Sequence, residues 1–149
     1  MDLLILDIIE NMSLINDSNK VVQAIDFSGV QNKNMHPSDI DAVLEFDNKL
    51  LILMEIKIKG KELPTGQKLM LQRICDAWHK KDKKNTGKKR KGVILKVEHN
   101  HYNSNTDIPL RNCVVTEIYF QGQWFKRKQK LITCLNDIGK YYKIDKCKF

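Results

Sequence analysis

The sequence predicts one α/β (α+β) domain over residues 1–149, a central mixed β-sheet flanked by helices. Three observations lead there. Two apolar stretches, 39–46 and 50–59, are separated only by Asp47, Asn48 and Lys49. That reads as a hairpin, because Asp and Asn tolerate left-handed backbone and bond their own main chain. A helical pattern follows, and then the strand-like run GVILKVEH at 92–99, so the chain crosses over and lays that strand parallel to a neighbour. Another strand, a turn at Gln121-Gly122-Gln123, a returning strand and an amphipathic helix complete the order.

Taken from the start, residues 3–12 carry Leu3, Leu6, Ile9 and Met12 at helical spacing, although Leu3-Leu4-Ile5-Leu6 is also a short strand-like run. Residues 21–27 are β-like and end at the turn pair Ser28-Gly29. The second hairpin strand opens with five apolar residues, LLILM, which implies burial of both faces; Glu55 and Lys57 then interrupt it. Thr65 can cap the following helix, which Gly66-Gln67 begins. Leu71, Ile74 and Trp78 form its apolar stripe, with Met70 and Ala77 beside it. Gln67 lies one turn earlier on that stripe, pointing toward the strand ends. Residues 113–120, CVVTEIYF, are a strand, and Trp124-Phe125 begins the return. Leu131, Leu135, Ile138 and Tyr142 space the last helix over 131–142.

The formal charge of +8 favours a polyanionic partner, most simply nucleic acid. The positive charge is clustered. Residues 80–91, KKDKKNTGKKRK, hold eight Lys or Arg and no apolar side chain; this reads as a flexible loop whose Lys88, Lys89 and Arg90 could track a phosphate backbone. Lys126, Arg127 and Lys128 lie beside aromatic rings, a pairing suited to a nucleic-acid face, with Trp124 itself read as core. The four cysteines are far apart and form no CxxC pair, which argues against a zinc ribbon or a redox motif. No apolar run reaches membrane-spanning length and no basic n-region precedes one, so the expectation is a cytoplasmic protein with reduced thiols and no membrane partner. His99 and His101 follow Glu98, but His101 falls in a loop, and the structural reading of this trio is preferred to a metal site.

The chemistry concentrates at the hairpin. Strand alternation puts Glu55, Lys57 and Lys59 on one face. A connection centred on Asn48 sets Asp41 across from Glu55 and Asp39 across from Lys57. Such charges at the end of a buried hairpin are costly unless something pairs them. A hard divalent cation would, since Mg²⁺ takes carboxylate oxygens, keeps waters and binds substrate phosphate.

Pro37-Ser38-Asp39-Ile40-Asp41 followed by Glu55-Ile56-Lys57 resembles the PD-(D/E)XK nuclease-like superfamily, which includes restriction enzymes, Holliday-junction resolvases and phage recombination nucleases. The resemblance covers residues 27–78 and looks closest to small phage-type endonucleases. It implies a restriction-endonuclease-like core and Mg²⁺- or Mn²⁺-dependent hydrolysis of DNA, in the host cytoplasm if the protein is phage-encoded. A homodimer is also implied, since many small members cut two strands as dimers. Carried over, Asp41, Glu55 and the Ile56 carbonyl would hold the metal, and Asp39 could assist or replace Asp41. Lys57 would orient the attacking water, Gln67 would support it, and Lys59 would contact a flanking phosphate. Members often add an acidic residue from an N-terminal helix; Glu10 is the only glutamate before the hairpin. Two other classes stay open: a non-catalytic nucleic-acid-binding protein on this fold, and a small basic protein, such as a phage inhibitor, that binds a protein partner.

Overall fold

The computed structural model describes residues 25–35, 37–80 and 89–149. The helix or strand expected over 3–12, Glu10, Lys88 and most of the basic run lie outside these residues. The chain divides into two compact units, Met1–Pro37 and Ser38–Phe149. In the first, the expected strand over 21–27 is not found at its described end, where 25–27 are irregular. Asp26 Oδ1 accepts the Ser28 N–H at 2.8 Å and Gly29 turns at φ +82°, so local turn bonds displace extended pairing.

Among its described residues, the second unit carries one five-stranded mixed sheet and two helices, an α+β arrangement. Its elements are β1 (Ala42–Phe46), β2 (Leu50–Ile58), α1 (Thr65–Trp78), β3 (Lys91–His99), β4 (Val114–Phe120), β5 (Gln123–Lys130) and α2 (Leu131–Tyr142), with a short 3₁₀ turn at Leu110–Asn112. The strands lie in sequence order, and only β2 and β3 are parallel, as a helical crossover between them requires. Asp47 and Asn48 take φ of +48° and +59°, the left-handed pair that closes the β1–β2 hairpin. The register pairs Ala42 with Met54, and continuing it sets Asp41 opposite Glu55.

The two sheet faces are covered differently. On one, Leu50, Ile52, Met54, Val93, Leu95 and Val97 pack with Leu131, Leu135 and Ile138 of α2. On the other, Leu51, Leu53, Ile94 and Tyr119 pack with Leu71 and Cys75 of α1. The α1 stripe is thus rotated from the expected one: Cys75 is buried and Ile74 is 38 % exposed. Gly92 is the reason. A Cβ there would lie 2.8 Å from Cys75 Sγ and 2.9 Å from Cys75 O, so only glycine lets the helix seat Cys75 on β3. Thr65 is the first helical residue rather than the cap; Pro64 holds the cap position and accepts the Lys68 N–H at 2.9 Å. All four cysteines are free and buried. Among the described residues, no helix is long and apolar enough to cross a membrane.

Candidate metal centre and charged face

α1 packs Leu71 and Cys75 against Leu51, Leu53 and Ile94. Two residues further along β2 and β3, at Glu55 and Lys96, the apolar residues of that face give way to charges. Glu55 on β2, Lys96 on β3, Glu117 on β4 and Lys126 on β5 are register partners, a row of alternating sign across four strands. Glu55, Lys96 and Glu117 are the only charged residues buried among those described, at 2, 3 and 6 % exposure. Burial is tolerable because each charge meets its opposite. Lys126 Nζ reaches Glu117 Oε1 at 2.9 Å, while Lys96 Nζ lies 3.4 Å from Glu98 Oε2 and 3.9 Å from Glu117 Oε2. Burial pushes the Glu98 carboxyl up, but the Gly60 N–H and Lys96 work against it, and the group is held below its usual range.

The row ends at the β1–β2 hairpin, and there the expected residues meet. Asp41 lies just before β1, where the ladder ends, and its Oδ2 accepts the Ile56 N–H at 2.7 Å. The carboxylate replaces the next strand carbonyl and spares Ile56 an orphan donor. Glu55 Oε1 pairs with Lys57 Nζ at 2.9 Å. The Glu55 carboxyl is raised above its ordinary range, first by burial; Lys57 opposes this and the nearby Asp41 charge adds to it. Gln67, in the first turn of α1, is the weakest influence on Glu55 and favours its charged form. Among the described residues, no hydrogen bond of ordinary geometry reaches the buried Glu55 Oε2. Asp39 lies exposed ahead of β1 and takes no part in these bonds among the described residues.

The donor set suits one kind of ion. Among the described residues no three His, Cys, Asp or Glu side chains gather into a metal cage. Two carboxylates, one with an unused buried oxygen, and a strand backbone fit a cation that keeps waters and takes substrate oxygens, as Mg²⁺ does; a closed zinc site they do not fit.

No family model, no curated protein and no solved structure matches the chain.

The basic residues divide into groups. Lys59, Arg127 and Lys128 line a cleft of about 480 Å³ at the end of the sheet next to Lys57. Lys126 is tied into the charged row. Lys89 and Arg90 enter at the other end, since Lys91 pairs with Leu50, five residues and roughly 16 Å before Glu55. Arg90 belongs to the fold: its Nε bonds Trp78 O at 3.1 Å, its Nη1 bonds Asn48 Oδ1 at 3.3 Å, and its guanidinium lies 4.4 Å from the centre of the Trp78 ring. Arg90, expected on the nucleic-acid face, thus also ties the end of α1 to the β1–β2 turn. Trp124 packs on Tyr119 at 5.3 Å, with Lys68 Nζ 4.5 Å from its ring centre, in keeping with a core role. Sequence reasoning passed over Lys96 and Glu117, and weighed Glu98 only beside His99 and His101. The available signal was their placement as isolated charges inside the apolar runs 92–99 and 113–120.

Proposed function

We propose that the chain is a metal-dependent endonuclease that hydrolyses phosphodiester bonds, with a restriction-endonuclease-like core. The observation that carries this reading is the convergence of Asp41, Glu55 and Lys57: Glu55 Oε1 meets Lys57 Nζ at 2.9 Å, the Asp41 charge acts on the same carboxyl, and its buried Oε2 accepts no hydrogen bond of ordinary geometry among the described residues. A buried oxygen without a donor is a strong acceptor for a cation. Asp41, Glu55 and the Ile56 carbonyl would hold it. A bound Mg²⁺ or Mn²⁺ supplies positive charge that polarises the phosphodiester and acidifies water.

This chain's own groups do the rest. The Lys57 ammonium orients the attacking water and favours its hydroxide form by charge. Glu55 keeps Lys57 in place, and Gln67 steadies Glu55 from the start of α1. The water oxygen bonds to phosphorus, one P–O bond breaks, and the leaving oxygen takes up a proton. Neither carboxylate acts as base while it serves as ligand. Lys59 meets a phosphate beside the cut. The substrate proposed is DNA, which the charge of +8 favours as it would any nucleic acid.

A second reading has one observation in its favour: the Glu55–Lys57 pair closes on itself within a row of matched charges, which suits a non-catalytic nucleic-acid-binding protein. Calorimetric titration with Mg²⁺ separates the two. The nuclease takes up the ion and its Glu55→Gln variant does not. Incubation with plasmid, a four-way junction and single strands, in Mg²⁺, Mn²⁺ or chelator, then finds the substrate. Absence of both cation uptake and cutting would remove the nuclease reading.

A further inference from the structure

The cleft beside the charged row is an unusual piece of sheet. Between β3 and β4 the register slips, so that Thr116 is an extra residue on β4 between the partners of Lys96 and Val97. Between β4 and β5 it slips again: Val115 pairs with Gln129 but Glu117 with Lys126, so that two residues, Arg127 and Lys128, oppose Thr116. Adjacent strand residues normally point to opposite faces. A bulge overrides this and re-aims side chains, and bulges concentrate beside functional sites. Here Arg127, Lys128 and Thr116 all line the same cleft, together with Lys59.

The rest of the lining has two further properties. Pro109 and Val114 give it an apolar wall. His99 Nδ1 accepts the His101 N–H at 3.1 Å, so in the neutral ring the proton sits on Nε2, a donor without added charge. Glu98, the one carboxylate in the lining among the described residues, is already engaged by the Gly60 N–H at 2.6 Å and by Lys96. The cavity, about 480 Å³, lies within the ~300–1,000 Å³ range of small-ligand sites. A nucleic-acid duplex is far too wide to enter it.

We infer that this cleft takes one unpaired nucleotide of the substrate strand, its phosphate on Lys59, Arg127 and Lys128 and its base against Pro109 and Val114. The cleft begins next to the proposed cutting site: Lys57 and Glu98 are register partners, and the Lys59 N–H bonds His99 O at 2.7 Å. The inference rests on the nuclease reading for its consequence, that the enzyme acts where a strand is single or has a nucleotide out of the stack. It names the substrate class that the charge alone left open.

The test titrates the full chain, without divalent cation, with a nucleoside 5′-monophosphate, with inorganic phosphate and with the bare nucleoside, following backbone amide shifts by NMR. The nucleotide should move the amides of His99, Asn100 and Thr116 in a saturable way, and should bind about tenfold more tightly than either fragment. Arg127→Gln with Lys128→Gln should weaken it by a similar factor of about ten. Both side chains are exposed, so an unchanged thermal midpoint will show that the variant folds. Lys49→Gln, an exposed change at the far end of the sheet, should bind the nucleotide as the parent does. Equal affinity for phosphate and nucleotide, shifts spread over the whole basic surface, or an unaffected double variant would each overturn the inference. Because no cation or cleavage enters the assay, a failure here with metal-dependent cutting intact sinks the cleft alone; nucleotide binding without cutting sinks the nuclease instead.

Discussion

At the scale of single residues, Glu55 is a buried carboxyl whose surroundings oppose its charge. Its carboxyl is raised, so the folded state binds that proton more tightly than the unfolded chain. The resulting stability is full below the ordinary carboxylate range and is lost as pH rises through the raised value. Glu55→Gln escapes this loss. Its thermal midpoint should therefore gain on the parent's between acid and neutral pH, measured by circular dichroism without added metal. At neutral pH, Mg²⁺ should raise the parent's midpoint, by ~2.7 kcal/mol of stability at a hundred times its dissociation constant, and leave the variant unmoved. Arg90 answers to packing instead. Arg90→Ala removes hydrogen bonds to Trp78 and Asn48 and the stacked guanidinium, and should cost about 1–2 kcal/mol in urea unfolding. An Arg90→Ala protein as stable as the parent would show that these contacts do not hold the fold.

Among the elements, the hairpin was the most legible part of the sequence. Asp47 and Asn48 announce left-handed turn residues, and strand alternation then fixes Asp41 across from Glu55. Gln67 was singled out because it lies one turn before Leu71 on the apolar stripe, at the start of the helix, where the resemblance implies a supporting glutamine. The α1 face was not legible in full. Its rotation depends on Gly92, a residue 17 positions after Cys75, and helical periodicity carries no record of a partner without a side chain. Gly92→Ala must push Cys75 aside, and should destabilise the fold by ~1–3 kcal/mol while leaving the Mg²⁺ affinity of the folded protein unchanged. The charged row was missed for a related reason. Lys96 and Glu117 read as isolated interruptions until the register brings them beside Glu55 and Lys126. The twin bulges leave no sequence signal, since they exist only in the pairing of three strands.

For the whole molecule, the charge distribution matters more than the total. Lys80, Lys89 and Lys91 gather around a cavity at one end of the sheet, while Lys59, Arg127 and Lys128 gather at the other, near Glu55. A strand must therefore be long to touch both ends. Lys80→Gln with Lys89→Gln should weaken binding of a long oligonucleotide and lower its salt slope by about one per lysine, with no effect on Mg²⁺ affinity. An unchanged slope would confine the nucleic-acid face to the Glu55 end. The central claim is that Asp41, Glu55 and Lys57 form one hydrolytic site, and it is tested most directly by the rate of Mg²⁺-dependent strand cleavage in the parent and in Lys57→Ala, side by side. The account predicts a loss of about a hundredfold or more in the variant, with cation uptake retained. Cleavage by Lys57→Ala as fast as by the parent would contradict it.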